Sequence, residues 1–366
     1  MKMLTKKIAH EIVKETSLRL HRNVNIMDVN GVIIATQDRS RIGLTHEGAL
    51  EVLRTGKTLI IHSEQSKNWE GAQPGVNLPI VFQEDIIGVI GVTGDPHQME
   101  DIGELVKMTT ELMVKQEFIA SQMEWKQRTK DMITEELLKD DPSYNNIDRG
   151  LGLLNFNLKP PFMTIIIQIA ERSISNQQLI QKLEEKIGEN NGIVSFINVN
   201  RILVTICGLD EKDANFKIDS IFYTMKKTNI LFKMAYSIPF SKLEKFNQSY
   251  LDCDLSLKIS EDSEELVSFA HIEVKSLIYQ LNETLSNRFS GRILKDCNKV
   301  RSQTLKAFFA NYLNIQKAAD KLFVHRNTLI YRLNKVTAET GYDPRKFEDA
   351  LNLQVALWIA EKAKIQ

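Results

Sequence analysis

The sequence predicts a multidomain α+β chain, with two mixed sheet-and-helix units followed by an all-α C-terminal domain. Three observations carry that prediction. Two short helix patterns flank a tight turn at residues 318–333. Asn30-Gly31 lies between two apolar runs and is the strongest short hairpin signal in the chain. From about Gln98 to Lys139 no Gly or Pro follows Gly103, and Asp141-Pro142-Ser143 then closes this helical stretch and marks a boundary.

A chain of 366 residues is long enough for two or three domains, each with its own core. Lys and Arg number 47 and Asp and Glu number 47, so any affinity for a polyanion has to be confined to one part of the chain. Cys207, Cys253 and Cys297 are far apart and odd in number. That usage fits a reducing, cytoplasmic compartment and does not fit a zinc cluster. No apolar run has the make-up of a signal peptide or a membrane span, so no membrane partner is expected.

In the first region, residues 1–140, Ile8, Ile12 and Leu18 predict a helix ending near Leu20. Strands are expected at 24–29 and 32–36. A helix capped by Thr45 should run to about Leu53 and stop at Gly56. Further strands are expected at Thr58 to His62, Leu78 to Phe82 and Ile86 to Thr93. That order suits a PAS-like sensor, one sheet with helices on a face and a small pocket between. Pocket chemistry is suggested by the segment from Asp38 to Gly48. Arg39 and Arg41 precede a helix whose free N–H groups already favour an anion, and a guanidinium matches a carboxylate with two parallel hydrogen bonds. His46 and Thr45 can reach hydroxyls, and a polar loop over Gly75-Val76-Asn77-Leu78-Pro79 can bring the Asn77 amide from the opposite side. The same residues also read as a solvated loop, with the arginines paired to Asp38 and Glu47 and His46 capping its helix.

The stretch from Gln98 to Lys139 carries Leu105, Met108, Leu112 and Ile119 at helical spacing, with Lys115 interrupting a clean heptad. It suits a dimer seam, or a plain surface helix equally well. The middle region, 141–270, offers a buried strand at 161–169, a helix at 177–187 and a hairpin over 193–206 around Asn198-Val199-Asn200. A helix near Asp219 to Lys227 and a strand near Phe232 to Ser237 complete an α+β unit.

The last region, 271–366, holds the helix-turn-helix pattern. Ala318 and Ala319 let two helices cross closely, Leu322 and Val324 bracket the turn, and Leu329, Leu333 and Val336 point inward. Asn327, Thr328, Tyr331, Asn334 and Lys335 then face outward, with Arg332 on the flank and His325 and Arg326 at the start. Amides, hydroxyls, a phenol and cations are the mixture that reads base edges and holds phosphates. An ordinary helical hairpin with a solvated basic face fits the same pattern. From Arg301 to Lys335 seven Lys and Arg stand against Asp320 alone, a local basic excess. Asn314 should cap the first helix of the pair, and Gly341 should end the second. Asp343-Pro344 should open a last helix, stapled by Tyr342 and Phe347 and closing the core with Leu351, Val355, Leu357 and Trp358.

These residues carry a resemblance. Thr304 to Ile359, with His325-Arg326-Asn327-Thr328-Leu329 and Tyr331-Arg332-Leu333, closely resembles the C-terminal DNA-binding domain of PucR/CdaR-type bacterial regulators. Asn25-Ile26-Met27-Asp28, Arg41-Ile42-Gly43, His46-Glu47-Gly48-Ala49 and Gly75 to Ile80 resemble the recognition domain of carbohydrate-diacid regulators. The resemblance implies a transcription regulator, of the activator type, that binds promoter DNA as a homodimer. Its effector would be a small hydroxy-carboxylate such as glycerate, glucarate or galactarate, held by Arg39, Arg41, His46 and Asn77. It implies no cofactor, no metal and no enzyme activity. The middle region resembles a GGDEF-like domain whose catalytic signature is absent, since Asn198-Val199-Asn200-Arg201 occupies the turn without paired acids or glycines. Phosphate-loop, nucleophile-elbow and His-Glu-x-x-His motifs are missing as well. An enzyme acting on a hydroxy-acid through Asp28 and Asp38, and an interaction module with a degenerate helix-turn-helix, are the rival readings.

Overall fold

The computed structural model describes residues 4–64, 69–70, 72–170, 174–261, 263–295 and 298–365. The chain forms two compact units, Met1–Gln127 and Arg128–Gln366. Its architecture is mixed α+β, ending in a helical helix-turn-helix region.

In the first unit α1 (Lys6–Leu20) starts where the Thr5 hydroxyl accepts the Ile8 N–H, and it buries Ile8, Ala9, Ile12 and Val13 along one face. Strands β1 (Val24–Met27) and β2 (Ile33–Thr36) pair antiparallel, as the Asn30-Gly31 signal predicts. The Asp28 carboxylate closes the turn by accepting the N–H groups of Asn30 and Val32, while Gly31 takes a positive φ of 72°. Helix α2 (Glu47–Thr55) is capped by His46 rather than by Thr45 and ends at Gly56. Strands β3 (Leu59–Ile61), β4 (Gly75–Phe82) and β5 (Asp85–Thr93) complete an antiparallel sheet of order β2-β1-β5-β4-β3.

Gly75, Val76 and Asn77, expected in a polar loop ahead of a strand from Leu78, are the start of β4. Gly75 permits this because a Cβ there would lie 2.1 Å from the Val92 carbonyl oxygen. Pro79 is tolerated because β3 pairs only with Gly75, Val76 and Asn77, so β4 is already an edge strand at Pro79 on that side. One sheet face packs Ile26, Leu78, Ile80 and Ile90 into a core with Ile12 of α1 and with Val106 and Val114. The opposite face packs Met27, Ile33 and Val89 against Ala49 and Val52 of α2. Helix α3 (Pro96–Leu137) runs 42 residues. Its buried residues include Val106 and Val114, while Leu105, Met108, Leu112 and Ile119 stay exposed.

The second unit takes up the end of α3, where Ile133 and Leu137 pack on Ile147 and Leu151 of α4 (Tyr144–Leu154), a helix the sequence reading did not anticipate. Strand β6 (Phe162–Ile169), α5 (Asn176–Ile187), β7 (Gly192–Asn198), β8 (Arg201–Cys207), α6 (Glu211–Lys226) and β9 (Phe232–Tyr236) follow in a β-α-β-β-α-β run. Helix α6 starts eight residues before the expected Asp219, because the Asp210 carboxylate caps it by accepting the Asp213 N–H at 2.8 Å. Helix α7 (Phe246–Ile259) and strand β10 (Leu266–Ser268) finish this sheet, whose order is β10-β9-β6-β8-β7. Cys207 and Cys253 are buried, and burial pushes both thiols up, away from the reactive thiolate. Cys297 lies outside the described residues.

The C-terminal helices are α8 (Phe269–Tyr279), α9 (Glu283–Ile293), α10 (Lys299–Ala310), α11 (Ile315–Lys321), α12 (Arg326–Thr340) and α13 (Phe347–Ile365). Asp343-Pro344 does not open α13. The Asp343 carboxylate instead holds a turn through the Arg345 N–H, and the helix starts at Phe347. Phe347 is 77% exposed and staples nothing. The core face of α13 is Leu353, Ala356 and Leu357, so Leu351, expected inside, falls on the exposed side.

Candidate nucleic-acid interface and sensor pocket

Helices α11 and α12 cross at Ala318 and Ala319, both fully buried, where small side chains allow close approach. Leu329, Leu333 and Val336 are also fully buried, against Leu305 and Phe308 of α10 and Leu353 and Ala356 of α13. Asn314 caps α11 by accepting the Lys317 N–H at 3.0 Å, and Gly341 ends α12 in the left-handed conformation with φ 79°. The turn between the helices places Phe323 at φ 53° with its ring 97% exposed, a position the sequence reading did not single out.

With the apolar face pinned, the other face of α12 is open. Arg326, Asn327, Thr328, Tyr331 and Lys335 are exposed and Arg332 is half-buried. His325 is exposed too, but its ring is partly committed: Nδ1 accepts the Asn327 N–H at 3.2 Å and caps α12. Charge separates the seven basic residues of this region into two groups. Arg301 pairs with Glu339, and Lys306 pairs with Glu361 at 2.5 Å. Lys317, Lys321, Arg326, Arg332 and Lys335 make no ion pair among the described residues. Lys317 and Lys321 add to the unpaired cations, and only the local basic excess in the sequence signals them.

In the first unit the predicted ligand residues divide. His46 and Asn77, each 3% exposed, line one small cavity on the α2 side of the sheet together with Asn25, Gln73, Gly91 and Thr93. Arg41 is half-buried and close enough for its charge to act on His46. Arg39 is exposed in the short 3-10 turn Arg39–Arg41, and the cavity lining includes neither arginine. The His46 Nδ1 accepts the Ala49 N–H at 3.2 Å, which caps α2. Burial, reinforced by the positive Arg41, lowers the His46 pKa from 6.5 to about 4, so the ring is neutral at pH 7. Asn25, missed as a site residue, is 3% exposed and its Oδ1 has no hydrogen-bond partner among the described residues. A polar residue among the apolar neighbours of a fully buried strand was the available signal.

Comparison with known proteins matches the two regions that hold these residues. A family model described as "Putative sugar diacid recognition" matches residues 4–137, and one described as the PucR C-terminal helix-turn-helix domain matches residues 302–359. The carbohydrate diacid regulator of Escherichia coli (strain K12) is 27% identical, over 98% of this chain and 98% of its own. A protein of Haemophilus influenzae is 29% identical over 96% and 97%, and YsfB of Bacillus subtilis is 26% identical over 97% and 98%. A region matching the sugar-diacid recognition model, a buried polar cavity within it and a C-terminal helix-turn-helix with an open basic face thus occur in one chain, which is similar to the carbohydrate diacid regulator along nearly its whole length and is a DNA-binding transcription regulator.

Proposed function

We propose that this regulator seats α12 in the major groove of operator DNA and that a small hydroxy-carboxylate, such as glycerate, glucarate or galactarate, controls that binding from the first domain. The observation that carries the DNA reading is the outer face of α12, exposed and cationic while the inner face is fully buried. Asn327 and Thr328, near the helix N-terminus, reach base edges, and Arg326, Tyr331, Arg332 and Lys335 hold phosphates or neighbouring bases. His325 serves mainly to start the helix, with its Nε2 left for a phosphate.

On the sensor side, Arg41 meets the carboxylate while His46 and Asn77 meet the rest of the effector. Arg39 contributes long-range attraction only. The protein acts as a homodimer, and the exposed Leu105, Met108 and Leu112 of α3 supply an apolar seam for a second copy. Effector binding favours one dimer arrangement and so sets the spacing of the two reading helices. We assign residues 1–140 to a PAS-like sensor, a reading supported by the β2-β1-β5-β4-β3 order. Residues 141–270 form a GGDEF-like unit and 271–366 the DNA-binding domain. We take the chain to be a cytoplasmic activator and not an enzyme. Among the described residues no helix is long and apolar enough to cross a membrane.

Fluorescence anisotropy on labelled promoter DNA tests this reading, with salt varied and each acid added in turn. Salt-sensitive binding that shifts with one hydroxy-acid is expected. Turnover of the acid, or binding to DNA that no acid alters, would overturn it.

A further inference from the structure

The small cavity in the first domain has a chemistry of its own. Register sets both Asn25 and Asn77 opposite Gly91, one on each neighbouring strand, so the two amides stand on the same sheet face with a gap between them. The gap exists because position 91 lacks a side chain: a Cβ there would lie 2.7 Å from the Asn77 Oδ1. His46, the N-cap of α2, lines the same space, and exposed Gln73 and half-buried Thr93 lie at its rim. The space is about the size of one water or one hydroxyl.

Every polar group lining this space is uncharged. The Asn25 Oδ1 is a buried acceptor without a partner, and the Asn77 side chain makes no hydrogen bond among the described residues. The cap sets the His46 tautomer. Its Nδ1 accepts the Ala49 N–H, so in the neutral ring the proton sits on Nε2, which becomes a donor. A buried acceptor beside a buried donor matches a hydroxyl, which gives one proton and accepts on its lone pairs. A carboxylate does not match, because nothing lining the space neutralises it.

We infer that the slot formed by Asn25, Asn77, Gly91 and His46 is a hydroxyl-recognition subsite, taking one carbinol group of a small polyhydroxylated acid. The inference rests on the reading that this domain binds a hydroxy-carboxylate, and it adds which residues select the hydroxyl. The ligand hydroxyl donates to the Asn25 Oδ1 and accepts from the His46 Nε2–H, while Asn77 closes the side.

Isothermal calorimetry on the full chain tests it with matched pairs, galactarate and glucarate against adipate and glycerate against propanoate. The hydroxylated acid should bind at least about tenfold tighter than its deoxy partner, since a buried site built for a hydroxyl rejects an analogue lacking one. Gly91→Ala and Asn25→Ala should each erase that preference and leave the affinity for adipate and propanoate unchanged. Circular dichroism checks the fold, and Asn25→Ala carries the test if Gly91→Ala does not fold. A preference that survives Asn25→Ala overturns the subsite and leaves the sensor reading intact. Equal affinity for both members of each pair in the wild type overturns the subsite too, and reduces the slot to a structural water site. Binding of none of the five acids overturns the subsite and the sensor reading together.

Discussion

The ring Nδ1 of His325 accepts the backbone N–H of Asn327 at 3.2 Å, so the residue that opens the proposed reading helix is also its cap. The two roles separate by substitution. His325→Ala should destabilise the chain by about 1 kcal/mol through the lost cap, and His325→Asn should restore most of it. If Nε2 also holds a phosphate, His325→Asn stays weakened for DNA while recovering its thermal midpoint. Full recovery of both would leave the cap as the only role.

Asn327→Ala and Arg332→Ala should each cost promoter binding about 1–3 kcal/mol, roughly five- to 150-fold, and leave effector binding unchanged. Lys335→Ala should instead weaken all DNA sequences alike and lower the slope of log affinity against log salt by about 1. Anisotropy titrations at three salt concentrations read both effects. Parallel loss of effector binding would argue against separate modules.

Arg41 and Arg39 should differ. Arg41 is half-buried beside His46, whereas Arg39 is exposed. Arg41→Ala should weaken binding of a hydroxy-carboxylate by about tenfold or more, the scale of one lost charge-assisted hydrogen bond. Arg39→Ala should change it by less than about threefold, as suits an exposed, screened charge. Calorimetry with the same acid on both variants decides between them, and the reverse ranking would move the carboxylate site to the Arg39 side.

His46 predicts a pH dependence of stability. Burial and Arg41 lower its pKa from 6.5 to about 4, so between those values the unfolded chain carries a proton on this ring that the folded chain does not. Stability therefore falls as pH drops from about 6.5 towards 4, by up to about 3 kcal/mol from this group. His46→Asn keeps a capping side chain and removes the titrating ring, so its loss of stability from pH 7 to pH 5 should be smaller than that of the wild type. Denaturant unfolding at the two pH values measures the difference, and identical slopes in both proteins would contradict the assignment.

Much of this molecule was legible in its residues because the relevant interactions are local. Asn30-Gly31 announces the hairpin because few other residues accept the turn's backbone, and Gly31 does take positive φ. Leu329, Leu333 and Val336 announce the inner face of α12 because helical spacing lines them up whatever they pack against. Asn314 and Gly341 mark helix ends by chemistry confined to one turn. Failures came where a distant partner decided the outcome. The stretch Gly75-Val76-Asn77 looks like a loop until β5 is placed beside it, and Asp343-Pro344 looks like a helix start although Asp343 is used to hold Arg345.

The sequence by itself determined the hairpin, the helix-turn-helix and the buried and open sides of α12, because each rests on periodicity, caps or turn chemistry within a few residues. Only the tertiary structure decided the cavity and the free charges. Asn25, Gly91 and Asn77 meet because three strands are in register, although up to 66 positions separate them in the chain. Arg301 and Lys306 are neutralised by Glu339 and Glu361, while the cations of α11 and α12 remain open. Pairing across a sheet and across a helix bundle depends on where distant segments come to lie, and no local pattern in the chain encodes it.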